Sequence, residues 1–160
     1  MSRSQWASFA AILFIFAFVG VAGGAEPTSD ASAAPGDVIR YRQTVMRAIA
    51  SHLKALTPIS AKKVPFAKHA VLHAQAVVEL SKVLGELFPK GTGPSSGETD
   101  AMDSIWKDAK AWNQSLESFR LEATRLAAAA SVGEFTALRA QVEVTNDSCA
   151  ACHTSFRAGR

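Results

Sequence analysis

The residues best equipped for chemistry lie close together near the end of the chain: Cys149, Cys152 and His153, in the run Cys149-Ala150-Ala151-Cys152-His153. They include the only two cysteines of the 160 residues. Two thiols three positions apart, with an imidazole directly after the second, form the attachment pattern of a c-type haem. Each thiol can add to one of the two vinyl groups on a porphyrin edge, and the histidine can turn its ring beneath the iron as an axial ligand. On a helix the three stand at i, i+3 and i+4 and share one face. Other uses of the pair compete with this reading. A redox dithiol normally opens a helix after a strand, a setting absent here. A zinc site needs a second pair of ligands, and His69 and His73, at i and i+4, keep that option open. A plain disulfide is the third.

The rest of the chain must deliver and hold such a group. Arg3 precedes an apolar run over residues 7–21, and the small residues Ala22-Gly23-Gly24-Ala25 come next. This is the form of a secretory signal peptide, residues 1–25, with cleavage expected after Ala25. An uncleaved anchor is the competing reading, because the run is nearly long enough to span a bilayer. With the signal removed, no stable membrane span is expected. No lipobox cysteine is present. Export agrees with haem attachment, which bacteria carry out beyond the cytoplasm, so the expected compartment is the periplasm. Residues 26–36 are small, polar and proline-containing, and read as a flexible lead. Residues 37–160 suffice for one domain.

The charge is mild: 17 basic against 14 acidic residues, for a formal +3. Basic residues are scattered rather than striped with aromatics, so no nucleic-acid partner is expected. No Ser-His-Asp set, glycine-rich phosphate loop or paired catalytic carboxylates can be placed, so the chain does not read as an enzyme.

Apolar residues recur at three and four throughout the domain, predicting four helices and no strand. The first is expected from Asp37, as N-cap, to about Leu56, before Pro58. The second spans about 66–88, and a break rich in Gly, Ser and Pro covers 89–100. The third starts near Asp103, carries Trp106, Trp112, Leu116 and Phe119, and ends near Gly133. The fourth holds Phe135, Leu138, Val142, Thr145, Cys149, Cys152 and Phe156. Together they describe an all-α, antiparallel four-helix bundle with one covalent haem near the C-terminus. Asp108, Glu117, Glu122 and Arg125 read as the solvated face of the third helix. Trp106 and Trp112 read as core, with Trp106 a candidate for packing on the haem edge.

In an up-down-up-down bundle the first and fourth helices are antiparallel, so residues 42–46 face His153. Met46 can then approach the iron from the side opposite His153, as ligand or as a thioether wall. Arg42, one turn earlier with Gln43 beside it, is placed to pair with a haem propionate. Arg157, four residues after His153, supplies a cation on the proximal side. His52 points elsewhere, nearly two turns beyond Met46.

Three stretches give the chain a family resemblance: Ile39-Arg40-Tyr41-Arg42-Gln43 with Met46; Phe88-Pro89-Lys90-Gly91-Thr92-Gly93 through Ile105-Trp106; and residues 149–157. The chain resembles a class II c-type cytochrome, the family of cytochrome c′ and its low-spin relatives. The resemblance implies a four-helix bundle, one haem c, His153 as proximal ligand, and Arg42 and Gln43 near the propionates. Position 46 is then the distal residue. A ligating methionine there implies an electron carrier serving periplasmic redox partner proteins, the reading that Met46 puts first. An apolar wall over a five-coordinate iron implies a protein that binds nitric oxide or carbon monoxide. A homodimer is also compatible with the family. A non-haem module that closes its two cysteines on zinc or in a disulfide is the third possibility.

Overall fold

The computed structural model describes residues 33–159. The expected signal peptide and most of the expected lead lie outside them. Among them are five α-helices: α1 (Pro35–Ser60), α2 (His69–Val83), α3 (Ser104–Lys107), α4 (Ala109–Val132) and α5 (Phe135–Phe156). Among the described residues there is no strand, only an isolated antiparallel bridge between Ala101 and Arg157. The long helices pack in a ring, α1 on α2, α2 on α4, α4 on α5 and α5 on α1. This is the four-helix bundle expected from the stripes. No described helix is long and apolar enough to cross a membrane.

The stripes are the core. Ile39, Val45, Ile49, Leu53 and Leu56 are buried along α1, and Trp112, Leu116, Phe119 and Leu126 along α4. Burial of such side chains contributes about 1.5–3 kcal/mol each before the cost of ordering the chain. On α5 the stripe runs Leu138, Val142, Thr145 and then reaches Cys149 and Cys152, which are only half-buried. The helix turns its packing face toward a cavity at the positions where the two thiols stand.

Five boundaries differ from the sequence reading. α1 starts at Pro35, whose fixed φ suits the first helical turn. It also continues through Pro58 to Ser60, because a proline in the last turn removes one backbone bond without having to bend the whole helix. α2 opens later than expected, at His69, and gives way to a 3-10 turn over Leu84–Leu87. The third helix is broken at Asp108, whose carboxylate accepts from Ala111 N at 3.0 Å and caps α4. Asp108 is therefore an N-cap and not simply part of a solvated face.

Glu122 departs from that face as well. It is 8 % exposed and accepts from Arg125 at 2.6 Å and from Gln141 of α5 at 2.7 Å. The amphipathic pattern counts it as solvated, yet it joins two helices. At the other end of α4, Gly133 has φ 79°, the left-handed C-terminal stop that glycine adopts without strain.

Candidate haem-binding site

α5 carries Cys149, Cys152 and His153 on one face of its last turns, as its spacing requires. Both cysteines are free. Burial, and then the neighbouring Cys152, pushes the Cys149 thiol up to about 11, and burial raises Cys152 too. Both are therefore thiols at neutral pH, each with an S–H to add across a double bond. Desolvation, followed by the charge of Arg157, holds His153 below the usual histidine range. A neutral ring keeps a nitrogen lone pair free for a metal.

Beyond His153 the chain is clamped. Met102 N donates to Phe156 O at 2.9 Å, Ala158 N to Asp100 O at 2.8 Å, and Ser104 Oγ to Ser155 O at 3.0 Å. Arg157 forms an ion pair with Asp100 at 3.3 Å. Its cation is thus shared with a carboxylate of the 98–103 segment, a partner the sequence reading did not foresee.

In front of this face lies a cavity of about 1520 Å³, bounded by α1, α4 and α5. It is larger than the roughly 300–1,000 Å³ of sites for drug-sized ligands. Leu53, Leu116 and Phe119 line it apolarly, and Trp112 and Phe156 close one side, edge to face at 5.2 Å. Met46 stands on the α1 wall, half-buried, and is the only thioether among the described lining residues. The antiparallel helices thus bring Met46 and His153 to one cavity.

Arg42 also lines the cavity, but its guanidinium is committed to the protein. It is 2 % exposed. Nη1 donates to Leu87 O at 3.3 Å and Thr92 Oγ1 at 3.1 Å, and Nη2 to Thr92 O at 3.0 Å and Thr99 Oγ1 at 2.9 Å. Its cation also lies 4.6 Å from the centroid of Phe88. Gln43 Nε2 donates to Glu98 O at 3.0 Å. Both residues therefore bind the 87–99 segment across the start of α1. Gly97 completes that contact: a Cβ there would meet Ile39 Cδ1 at 3.2 Å, with φ at 156°.

The sequence reading missed Thr92 and Thr99 as partners of Arg42. It also missed Arg47 and Lys54, exposed cations lining the same cavity. Their spacing from Arg40, seven residues at each step, was the available signal. Trp106 does not line the cavity; its indole donates to Phe88 O at 2.9 Å and braces the loop. His52, His69 and His73 do not line it either.

Two half-buried thiols and a neutral imidazole on one helix face, with an apolar lining from α1 and α4 and cations at the rim, fit a haem. The family model described as Cytochrome C′ matches residues 37–157. The chain belongs to the cytochrome c′ family. Cytochrome c′ from Alcaligenes xylosoxydans xylosoxydans is 34% identical over 125 residues, covering 78% of this chain and 96% of the relative. Among solved structures, the nitric oxide complex of a single-substitution variant of cytochrome c prime from Alcaligenes xylosoxidans superposes with a TM-score of 0.73 at 31% identity. It covers 81% of this chain and 99% of that one. A carbon monoxide-bound variant from the same organism gives 0.72 at 31% identity, covering 79% and 98%. As a cytochrome c′ family member the chain binds one covalently attached c-type haem.

Proposed function

We propose that this cytochrome c′ family member works in the periplasm as a gas-binding haem protein, with nitric oxide or carbon monoxide as the ligand. Cys149 and Cys152 form the two thioether links, His153 is the proximal ligand, and Met46 is the residue facing the distal side. Bound haem supplies an iron that can take a further ligand or cycle between two oxidation states. The chain's own part would be to hold the haem through α5, keep His153 neutral, and line the cavity with Met46, Leu53 and Phe119.

The observation that carries the proposal is the cavity that Met46 and His153 both line, with Met46 half-buried. The nitric oxide and carbon monoxide complexes of relatives support it over the six-coordinate electron carrier that the sequence reading put first. One observation favours the carrier as second reading: a thioether stands on the distal wall, where ligation would raise the reduction potential. Residues 1–25, read as a cleaved signal, and haem attachment support the compartment. No catalytic substrate is needed under either reading. Redox partners belong to the second, and a homodimer is compatible with both.

Nitric oxide titration of the ferrous protein, as wild type and as Met46→Leu, separates the two. A gas-binding protein takes the ligand in both forms. A carrier whose iron is held by Met46 resists the ligand as wild type and gains binding only on substitution.

A further inference from the structure

Outside the lining of the cavity, α1 and α2 bring two histidines together. His52 Nδ1 lies 2.9 Å from His73 Nδ1, with ring centroids 5.2 Å apart and the rings tilted by 51°. Both side chains are half-buried, so solvent reaches the pair. One turn before His73 stands His69, exposed and stacked on Phe66 at 5.1 Å. No described carboxylate forms an ion pair with any of the three, from α1, α2, α4 or α5. The sequence reading paired His69 with His73; the structure pairs His73 with a residue of the neighbouring helix.

A 2.9 Å contact between two imidazole nitrogens holds at most one hydrogen. At least one ring must be neutral at Nδ1, and the contact is lost when both are protonated. Two imidazole nitrogens this close can instead converge on one metal ion, once each ring turns about its soft Cβ–Cγ torsion so that both lone pairs aim at one point. Imidazole ligands suit Cu²⁺, Ni²⁺ and Zn²⁺, and among these a given nitrogen site binds Cu²⁺ most tightly.

We propose that His52 and His73 form a second metal site, separate from the haem, that takes a divalent transition-metal ion of the Cu²⁺ or Ni²⁺ type and cross-links α1 to α2. Water completes the coordination. His73 is also suited to the role electrostatically. Burial, then His52 and His69, keep its pKa below the ordinary value, so the ring is neutral when a metal arrives.

The test is calorimetric titration of the haem-loaded protein with Cu²⁺, Ni²⁺ and Zn²⁺ in turn, near pH 7.5 and again near pH 5.5, below the ordinary histidine pKa of about 6.5. The expected result is one ion per chain, bound in the order Cu²⁺ above Ni²⁺ and Zn²⁺, and weakened at the lower pH. His52→Gln and His73→Gln should each weaken Cu²⁺ binding at least about tenfold, since even outer-shell changes cost that much. His69→Gln should weaken it less. Thermal unfolding supplies a second readout: Cu²⁺ should raise the Tm of the wild type and leave that of both variants unchanged. An unaltered haem spectrum shows that each variant has folded. Absence of saturable binding, or equal binding by wild type and both variants, would overturn the proposal.

Discussion

Arg42 donates to Thr92 twice, from Nη1 to Oγ1 at 3.1 Å and from Nη2 to the carbonyl oxygen at 3.0 Å. Thr92 Oγ1 in turn donates to Pro89 O at 2.8 Å. A buried cation is therefore neutralised by carbonyl and hydroxyl dipoles of one loop, rather than by a carboxylate. Arg42→Ala should destabilise the fold by about 3 kcal/mol, the scale of a broken buried network. Denaturant unfolding of the haem-loaded variant measures it. A loss below about 0.5 kcal/mol, ordinary for a surface change, would contradict the assignment.

Glu122 gives a second stability prediction. Glu122→Ala leaves Gln141 without its partner across α4 and α5 and should cost about 1–3 kcal/mol. Glu117→Ala, at an exposed residue paired only within α4, should cost less than about 0.5 kcal/mol. Equal Tm shifts for the two would show that the burial of Glu122 has no energetic consequence.

The two thiols should contribute separately to haem retention. Cys149→Ala and Cys152→Ala should each leave one thioether link, and the double variant should release its haem on denaturation in acidified organic solvent. Intact-protein mass spectrometry reads this directly, because the haem mass stays with the chain only while a link remains. Full retention in the double variant would mean that the attachment lies elsewhere.

His73 makes stability depend on pH. Its folded pKa lies below its unfolded value, with burial as the first cause. The unfolded chain therefore binds the extra proton more readily in the window between the two values. The contribution is fully present above the unfolded pKa of about 6.5 and is lost as pH falls through the folded one. Tm should decline over that window, and His73→Gln should flatten the decline. An identical profile for wild type and variant would remove His73 from the account.

What the sequence disclosed follows from the range of the interactions. Cys149, Cys152 and His153 are local neighbours on one helix, so their spacing alone points to haem attachment. The stripes of α1 and α4 were equally legible, because helical period converts directly into a buried face. From the stripes came the antiparallel order, and from that the meeting of Met46 and His153. The partners of Arg42 lie 45 to 57 residues away, and no local pattern records them. Glu122 was misread for the same reason: its pattern position is polar, and the group that makes burial tolerable belongs to α5. The break at Asp108 was hidden because one capped turn hardly disturbs the aromatic period on either side. The His52–His73 contact joins two helices at positions that one-helix spacing cannot relate.

The central claim is a covalent haem whose iron accepts a gas opposite His153. It is tested most directly by the visible absorption of the purified ferrous protein, before and after addition of carbon monoxide. The account predicts a coloured protein, with the colour retained by the denatured chain and a spectrum that shifts to a carbon monoxide adduct. A coloured protein whose low-spin spectrum carbon monoxide leaves unmoved would contradict gas binding and make Met46 the sixth ligand of an electron carrier. A colourless one would contradict the haem site itself.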